Sequence, residues 1–334
     1  MTATIEQKRI FITSLRRSLG QLGLDIVHPF AAQSYNATTL GQSNPIPTFN
    51  QTSTLSFIVG SHRTFWEIFL AQHYPSKLET EAERRDPMDH YCERLIPRVT
   101  LQALEDAGLY STQSGQEHIT TTFSVAFSHW WITVPPAGTP PPGAKPTGFV
   151  VPPTKILPIQ HVAHAAGFAY FNPIAFLNVH PVYGPWFGMR AIVMVDLPYD
   201  VSTDNEWLLI TDNNNNNNNS NNNQNQTGTY SKDSRPIEQN PAFEGMSSKE
   251  IEEQNATLEA TKNELLTKGW QAEDWEEWVA FRTSLTKNRV DWQKWRYSDN
   301  QMRYHYLKDS ELLEECAIKF QEGHTRSTTT LFPS

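Results

Sequence analysis

Thiols are scarce in this chain. Of its 334 residues only two are cysteine, Cys92 and Cys316, in unrelated surroundings. Neither a disulfide framework nor a thiolate zinc site can be built from that pair, and such sparing use suits a reducing compartment. Positive charge is also short. There are 27 Lys and Arg against 36 Asp and Glu, a formal net charge of −9. That balance argues against nucleic acid as a partner, because neutralising phosphates needs a basic footprint. No apolar run reaches the roughly 18–20 residues that span a bilayer. Glycine patterns are missing too: no Gly-x-Gly-x-x-Gly and no Gly-x-Ser-x-Gly occurs, so dinucleotide and hydrolase-elbow readings fail. The opening "MTATIEQKRIFITSLRRSLGQLGL" is amphipathic and charged, unlike a signal peptide, although its Arg and Ser/Thr content overlaps that of a transit peptide. These absences lead us to expect a soluble cytoplasmic protein without a membrane partner.

Aromatic residues, by contrast, are plentiful. Ten Trp, eleven Tyr and seventeen Phe supply a large core, or walls around a flat ligand. Apolar spacing predicts an amphipathic helix over 5–23, ended by Gly23, then a short strand and loop in "DIVHPFAAQSYN". "TLSFIVGS", 54–61, reads as a buried strand and 63–74 as the helix after it. "DPMDHYCERLIPRVTLQALEDAGLY" reads as helical pieces broken at Pro97. The Thr-, Val- and aromatic-rich segment 118–134 reads as one long strand. A Pro/Gly loop follows. Next come a helix over 160–171, a strand over 174–180, turn chemistry in "PVYGP" and a returning strand over 186–198. Period two puts Trp186, Gly188, Arg190 and Ile192 on one face of that strand, with Phe187, Met189, Ala191 and Val193 on the other.

The Asn/Gln tract that begins at Asp212 cannot bury apolar surface and is expected to be disordered. Ser247 and Glu250 form a capping-box pattern ahead of a lightly docked surface helix. The expected organisation is a single domain from 1–211 with 270–310, a disordered insertion at 212–246, a surface helix at 247–269 and a C-terminal tail at 311–334. The segment from Trp270 onward holds five of the ten tryptophans and has to pack on the main domain.

His161 and His164 lie three apart, the spacing of one helix face. No Asp or Glu occurs between His161 and Asp196, and His180 is the nearest third ligand. Zinc asks for three or four ligands with supporting partners, so no metal site is expected. "HAAG" also fits the His-x-x-Gly of the corrinoid-binding module, yet Val162 stands where that module has Asp.

Longer blocks carry a clearer resemblance. "HAAGFAY" followed by "VHPVYGPWFGMRAIVMVDLP" resembles the cblC-type cobalamin-processing proteins (methylmalonic aciduria and homocystinuria type C). "GLDIVHPFAAQSYN", "TLSFIVGS", "DPMDHYCERLIPRV" and "DWQKWRY" with "RYHYL" look like the same family, in its order. The resemblance implies an α+β fold, a nitroreductase-like antiparallel sheet flanked by helices, here with a C-terminal helical elaboration. It implies a protein that binds cobalamin base-off and removes its upper axial ligand: cyanide with reduced FMN or FAD, alkyl groups with glutathione thiolate. The product would pass to a trafficking partner of the type D class and to methionine synthase. The alternatives on the same fold are a flavin reductase or nitroreductase, and a cobalamin-binding chaperone without turnover.

By the same resemblance, Arg190 matches the family's glutathione-contacting arginine, and its planar fork suits a carboxylate. Ile156, Leu157, Ile159 and Gln160 match the run lining the cobalamin site, with one extra residue between Leu157 and Gln160. His164 matches the family's histidine, and His161 is expected to be structural. Phe171 and Asn172 replace a tyrosine pair; Asn178 replaces a cysteine; Met189 matches a further contact. Ser298 stands where the family has an arginine, and "GFVVPPTK" replaces a basic dimer-contact segment, so the chain is expected to be a monomer or a weak ligand-dependent dimer.

Overall fold

A computed structural model describes residues 3–72, 86–110, 121–127, 131–134, 157–200, 204, 236–268 and 275–329, with the backbone alone at 131–134 and 323–329. The first helix, α1 (Ile5–Gln21), starts on a complete capping box between Thr4 and Gln7. The chain continues through β1 (Ile26–Ala31), α2 (Ala32–Asn36), α3 (Thr39–Ser43), β2 (Thr54–Ser61), α4 (Thr64–Gln72) and α5 (Pro87–Asp106). Then come β3 (Phe123–Ala126), β4 (Trp131–Val134), α6 (Ile159–Ala165), β5 (Tyr170–Asn172), β6 (Leu177–Val179) and β7 (Gly188–Pro198). The C-terminal part holds α7 (Ser248–Lys268), α8 (Trp275–Ser284), α9 (Asp299–Leu307) and α10 (Ser310–Thr329).

Five strands form one antiparallel sheet in the order β1-β2-β7-β3-β4. Alternation decides which side chain faces which layer. Leu55, Phe57 and Val59 of β2, with Ala191, Val193 and Val195 of β7, face one core with α1, α4, α5 and α10. Ile58, Ile192 and Met194 point the other way, to a second core with α2, α6 and Phe168. A third cluster joins Val179 and Trp186 to Leu258, Leu265, Phe281, Trp292 and Met302 of the C-terminal layer.

The sheet with flanking helices matches the expected α+β architecture, and several boundaries change. Within 118–134, expected to be one strand, residues 123–126 and 131–134 are two antiparallel strands, with Phe123 opposite Val134 and Ala126 opposite Trp131. Period two is the same before and after a turn, and "FSHW" offers no Gly or Pro to mark one. Pro97 sits inside a continuous α5. The lost backbone bond costs about 3 kcal/mol, against burial of Ile96, Pro97, Thr100, Ala103 and Leu104 on that helix. The helix expected over 160–171 ends at Ala165, and its last residues form β5 instead.

The expected tail at 311–334 contains α10, whose Leu312, Leu313, Cys316 and Ala317 are buried in the main core. Part of the segment 212–246, expected to be a disordered insertion, has described structure. Residues 236–246 include a 3-10 turn at Pro241–Phe243, with Asn240 and Ala242 buried; residues 212–235 lie outside the described residues. The capping box at Ser247 is present, with Ser247 N donating to Glu250 Oε2 at 2.7 Å. Only Leu258 and Leu265 of α7 are buried.

Candidate functional site

Most of the predicted residues gather on one wall made by α6, the β5–β6 hairpin and the adjoining face of β7. Leu157 and Ile159 are buried in the second core, and Met189 packs against it partly buried. Gln160 ties the helix to the hairpin: its Nε2 donates to Phe176 O at 2.7 Å, and Asn178 Nδ2 donates to Gln160 O at 3.0 Å. Both acceptors are backbone carbonyls, so the amide orientations follow from chemistry. Asn178 Oδ1 is buried without a hydrogen-bond partner among the described residues. Asn172 Oδ1 accepts from Ile174 N at 2.9 Å and Ala175 N at 3.0 Å, which shapes the hairpin turn. Ile156 lies outside the described residues.

The two histidines of α6 are held as neutral rings. His164 Nδ1 accepts from Phe171 N at 3.3 Å, so Nε2 carries the proton. Burial pulls its pKa down, and neighbouring His161 adds to the effect. The His161 ring lies 4.3 Å from Phe171, and its pKa is also lowered by burial. Deeper in, His28 and His180 flank Phe168 at 5.2 and 4.7 Å between ring centroids. His180 Nδ1 accepts from Val182 N at 3.0 Å and Tyr183 N at 3.3 Å. Burial lowers His28 to about 4 and His180 to about 3, and each is therefore neutral at pH 7. Among the described residues no cluster of three or more His, Cys, Asp or Glu could hold a metal.

Arg190 is the exception to this gathering. Val59 pairs with Ala191 and Gly60 with Met189, so Arg190 is the extra residue of a β-bulge. A bulge shifts the alternation by one. Arg190 therefore leaves the face expected from period two, the face of Ile192, and turns to the side of α4 and α5. Its guanidinium lies 4.9 Å from the Phe65 ring centroid. Nε donates to Ser61 Oγ at 3.2 Å, and Nη1 lies 3.6 Å from Asp89 Oδ1. Met189, one residue earlier, packs on the opposite face. The bulge is tight: a Cβ on Gly60 would stand 2.8 Å from Gly188 O. Beside Arg190, burial pushes the Cys92 thiol up to about 12 although the arginine's charge opposes it, so Cys92 is no thiolate nucleophile at neutral pH.

Three residues outside the sequence expectations hold this wall in place. Arg282, buried in α8, donates to the carbonyls of Pro185 and Phe187 and lies over Trp186 at 5.0 Å. Trp292 Nε1 donates to Pro181 O at 3.0 Å. His62 pairs with Asp25 at 2.5 Å, and its ring centroid lies 4.8 Å from that of Trp295. The C-terminal layer thus clamps the turn between β6 and β7. Only the Trp richness of that layer hinted at such a role in sequence. A groove of about 790 Å3 in the same layer is lined by Trp275, Val279, Lys287, Val290 and Met302 among others, and by none of the predicted residues.

Comparison with known proteins adds one similarity. No family model matches the chain, and no curated protein matches it. Among solved structures it is similar to the B12-trafficking protein CblC of C. elegans, described as a homologue of human MMACHC. The identity is 17%, the match covers 91% of this chain and 96% of that one, and the TM-score is 0.46. Among the described residues no helix is long and apolar enough to cross a membrane.

Proposed function

We propose that this chain is a cobalamin-processing protein that binds cobalamin base-off and removes its upper axial ligand. The observation that carries this reading is the gathering of Leu157, Ile159, Gln160, His164, Phe171, Asn178 and Met189, all singled out by sequence resemblance, on one largely apolar wall. A flat apolar macrocycle fits such a wall, and its peripheral amides find acceptors in side-chain amides. Cobalt supplies the redox and alkyl-transfer chemistry, so the protein has to bind, orient and control access. Reduced flavin and glutathione are the proposed co-substrates, with Arg190 drawing a glutathione carboxylate.

A reading without turnover has its own support. Arg190 faces away from the wall and is already engaged by Ser61 and Asp89, which favours a cobalamin-binding chaperone. Transfer to a type D trafficking partner and to methionine synthase, a cytoplasmic location and a monomer or weak ligand-dependent dimer complete the proposal.

Methylcobalamin added to the full chain at neutral pH should shift its visible spectrum to the base-off form; no shift defeats both readings. Anaerobic glutathione should then remove the cobalt–methyl band. Persistence of that band with retained binding selects the chaperone. Arg190→Ala should slow dealkylation at least about tenfold, the worth of one charge-assisted contact, with binding intact.

A further inference from the structure

The loop between α3 and β2 puts two consecutive residues other than glycine in the left-handed region, Phe49 at φ 49° and Asn50 at φ 62°. Gln51 N donates to Thr48 O at 2.9 Å across them, which closes a tight turn. Glycine, asparagine and aspartate are the usual residues where both central positions have positive φ. Asn50 suits its place. At Phe49 the Cβ crowds the following carbonyl, and the backbone is strained.

Side chains around the turn enforce that conformation. Thr54 Oγ1 donates to Thr48 O at 2.6 Å, and Gln33 Nε2 donates to Gln51 O at 2.9 Å. Gln51 Nε2 reaches Asp196 Oδ1 on β7 at 2.9 Å and ties the turn to the central sheet. Strain over-determined in this way concentrates at ligand clamps and switches. What it fixes here is the place of one ring. Phe49 is half-buried and packs on the second core, the core of Leu157 and Ile159, against which Met189 also packs. Ile46, three residues earlier, is already buried there and anchors the loop. The Phe49 ring is therefore not needed as an anchor.

We propose that the Phe49 ring is a displaceable plug on the wall. The strained turn holds the ring on the second core in the free protein; an incoming flat apolar ligand takes the ring's place and releases the turn. This rests on the reading that the wall takes such a ligand, and it adds a control on access to it. A plug lowers apparent affinity in proportion to the fraction of molecules in which it stands open. Loosening the turn or removing the ring therefore tightens binding, the opposite of what loss of a ligand contact would do.

The full chain, Phe49→Ala and Gln51→Ala should be titrated with cobinamide (the corrin without its nucleotide) and with the flat apolar dye anilinonaphthalenesulfonate, which does not depend on cobalamin recognition. Removing the ring should tighten both probes about three- to tenfold, the worth of part of one aromatic side chain no longer displaced. Gln51→Ala keeps the ring and cuts the tie to Asp196. It should tighten both probes about two- to tenfold, the worth of one hydrogen bond. If the dye tightens in both variants while cobinamide binds to none of the three proteins, the plug stands and the cobalamin reading fails. Weaker binding of the probes to Phe49→Ala would make the ring a ligand contact, and unchanged affinities in both variants would make the turn purely structural. Either result overturns the plug, as does the failure of both probes to bind any of the three proteins.

Discussion

The two faces of the central sheet are built differently. Toward α1, α4, α5 and α10, the interior is a continuous apolar cluster of Phe, Leu, Val and Ile with Tyr91 and Tyr304; it too takes in polar groups, the Arg190 guanidinium and a Tyr304 hydroxyl without a hydrogen-bond partner among the described residues. Toward α6 and the hairpin, apolar residues surround two neutral histidines, with Asn178 Oδ1 and the Tyr35 hydroxyl unpaired among the described residues. The first face maximises burial. The second differs in burying two neutral imidazoles, which need hydrogen-bond partners there, and all but one of the described residues matched by resemblance to ligand contacts lie there.

The largest expected difference between the faces lies in packing. Phe57→Ala, from a side chain with no exposed surface, should cost about 3–5 kcal/mol. Phe171→Ala, on the partly exposed hairpin, should cost under about 1 kcal/mol. Denaturant unfolding of both variants tests this, and equal costs would erase the proposed contrast.

Acid should act mainly on the histidine-bearing face. His28 and His180 have folded pKa values lowered to about 4 and about 3 from an ordinary 6.5. The unfolded chain therefore takes up protons first as pH falls below 6.5. Stability is fully present above that value and is lost between 6.5 and about 3, by an amount on the order of a few kcal/mol. Unfolding free energy followed from pH 7 to 4 should decline, and less steeply in His28→Phe. An identical slope in that variant would remove His28 from the account.

A smaller effect is expected where the C-terminal layer meets the second face. Gly184 has φ 59°, and a Cβ there would stand 2.5 Å from the Trp292 ring. Gly184→Ala should cost about 1–3 kcal/mol through strain and displacement. Tryptophan fluorescence should report a moved Trp292, and an unchanged spectrum and stability would show the clamp to be dispensable.

Some of these features were legible in the chain and some were not. The β2 run "TLSFIVGS" appears at its predicted bounds because eight residues of strand-forming character between turn signals leave few alternatives. The division of 123–134 into two antiparallel strands was not legible, since period two carries no record of a reversal. Resemblance singled out the wall of α6 and β6, whereas the clamps from Arg282 and Trp292 join residues about a hundred positions apart. No local pattern encodes such a pairing.

Arg190 shows where the division falls. Its identity, its place in an apolar strand and the chemistry of its guanidinium follow from the sequence alone. Which face of the sheet it serves does not. Strand periodicity assigns it to the side of Ile192, and the bulge opposite Gly60 turns it to the side of Phe65 and Asp89. A bulge is a property of two paired strands, set by how β2 and β7 meet, so only the tertiary structure could decide it.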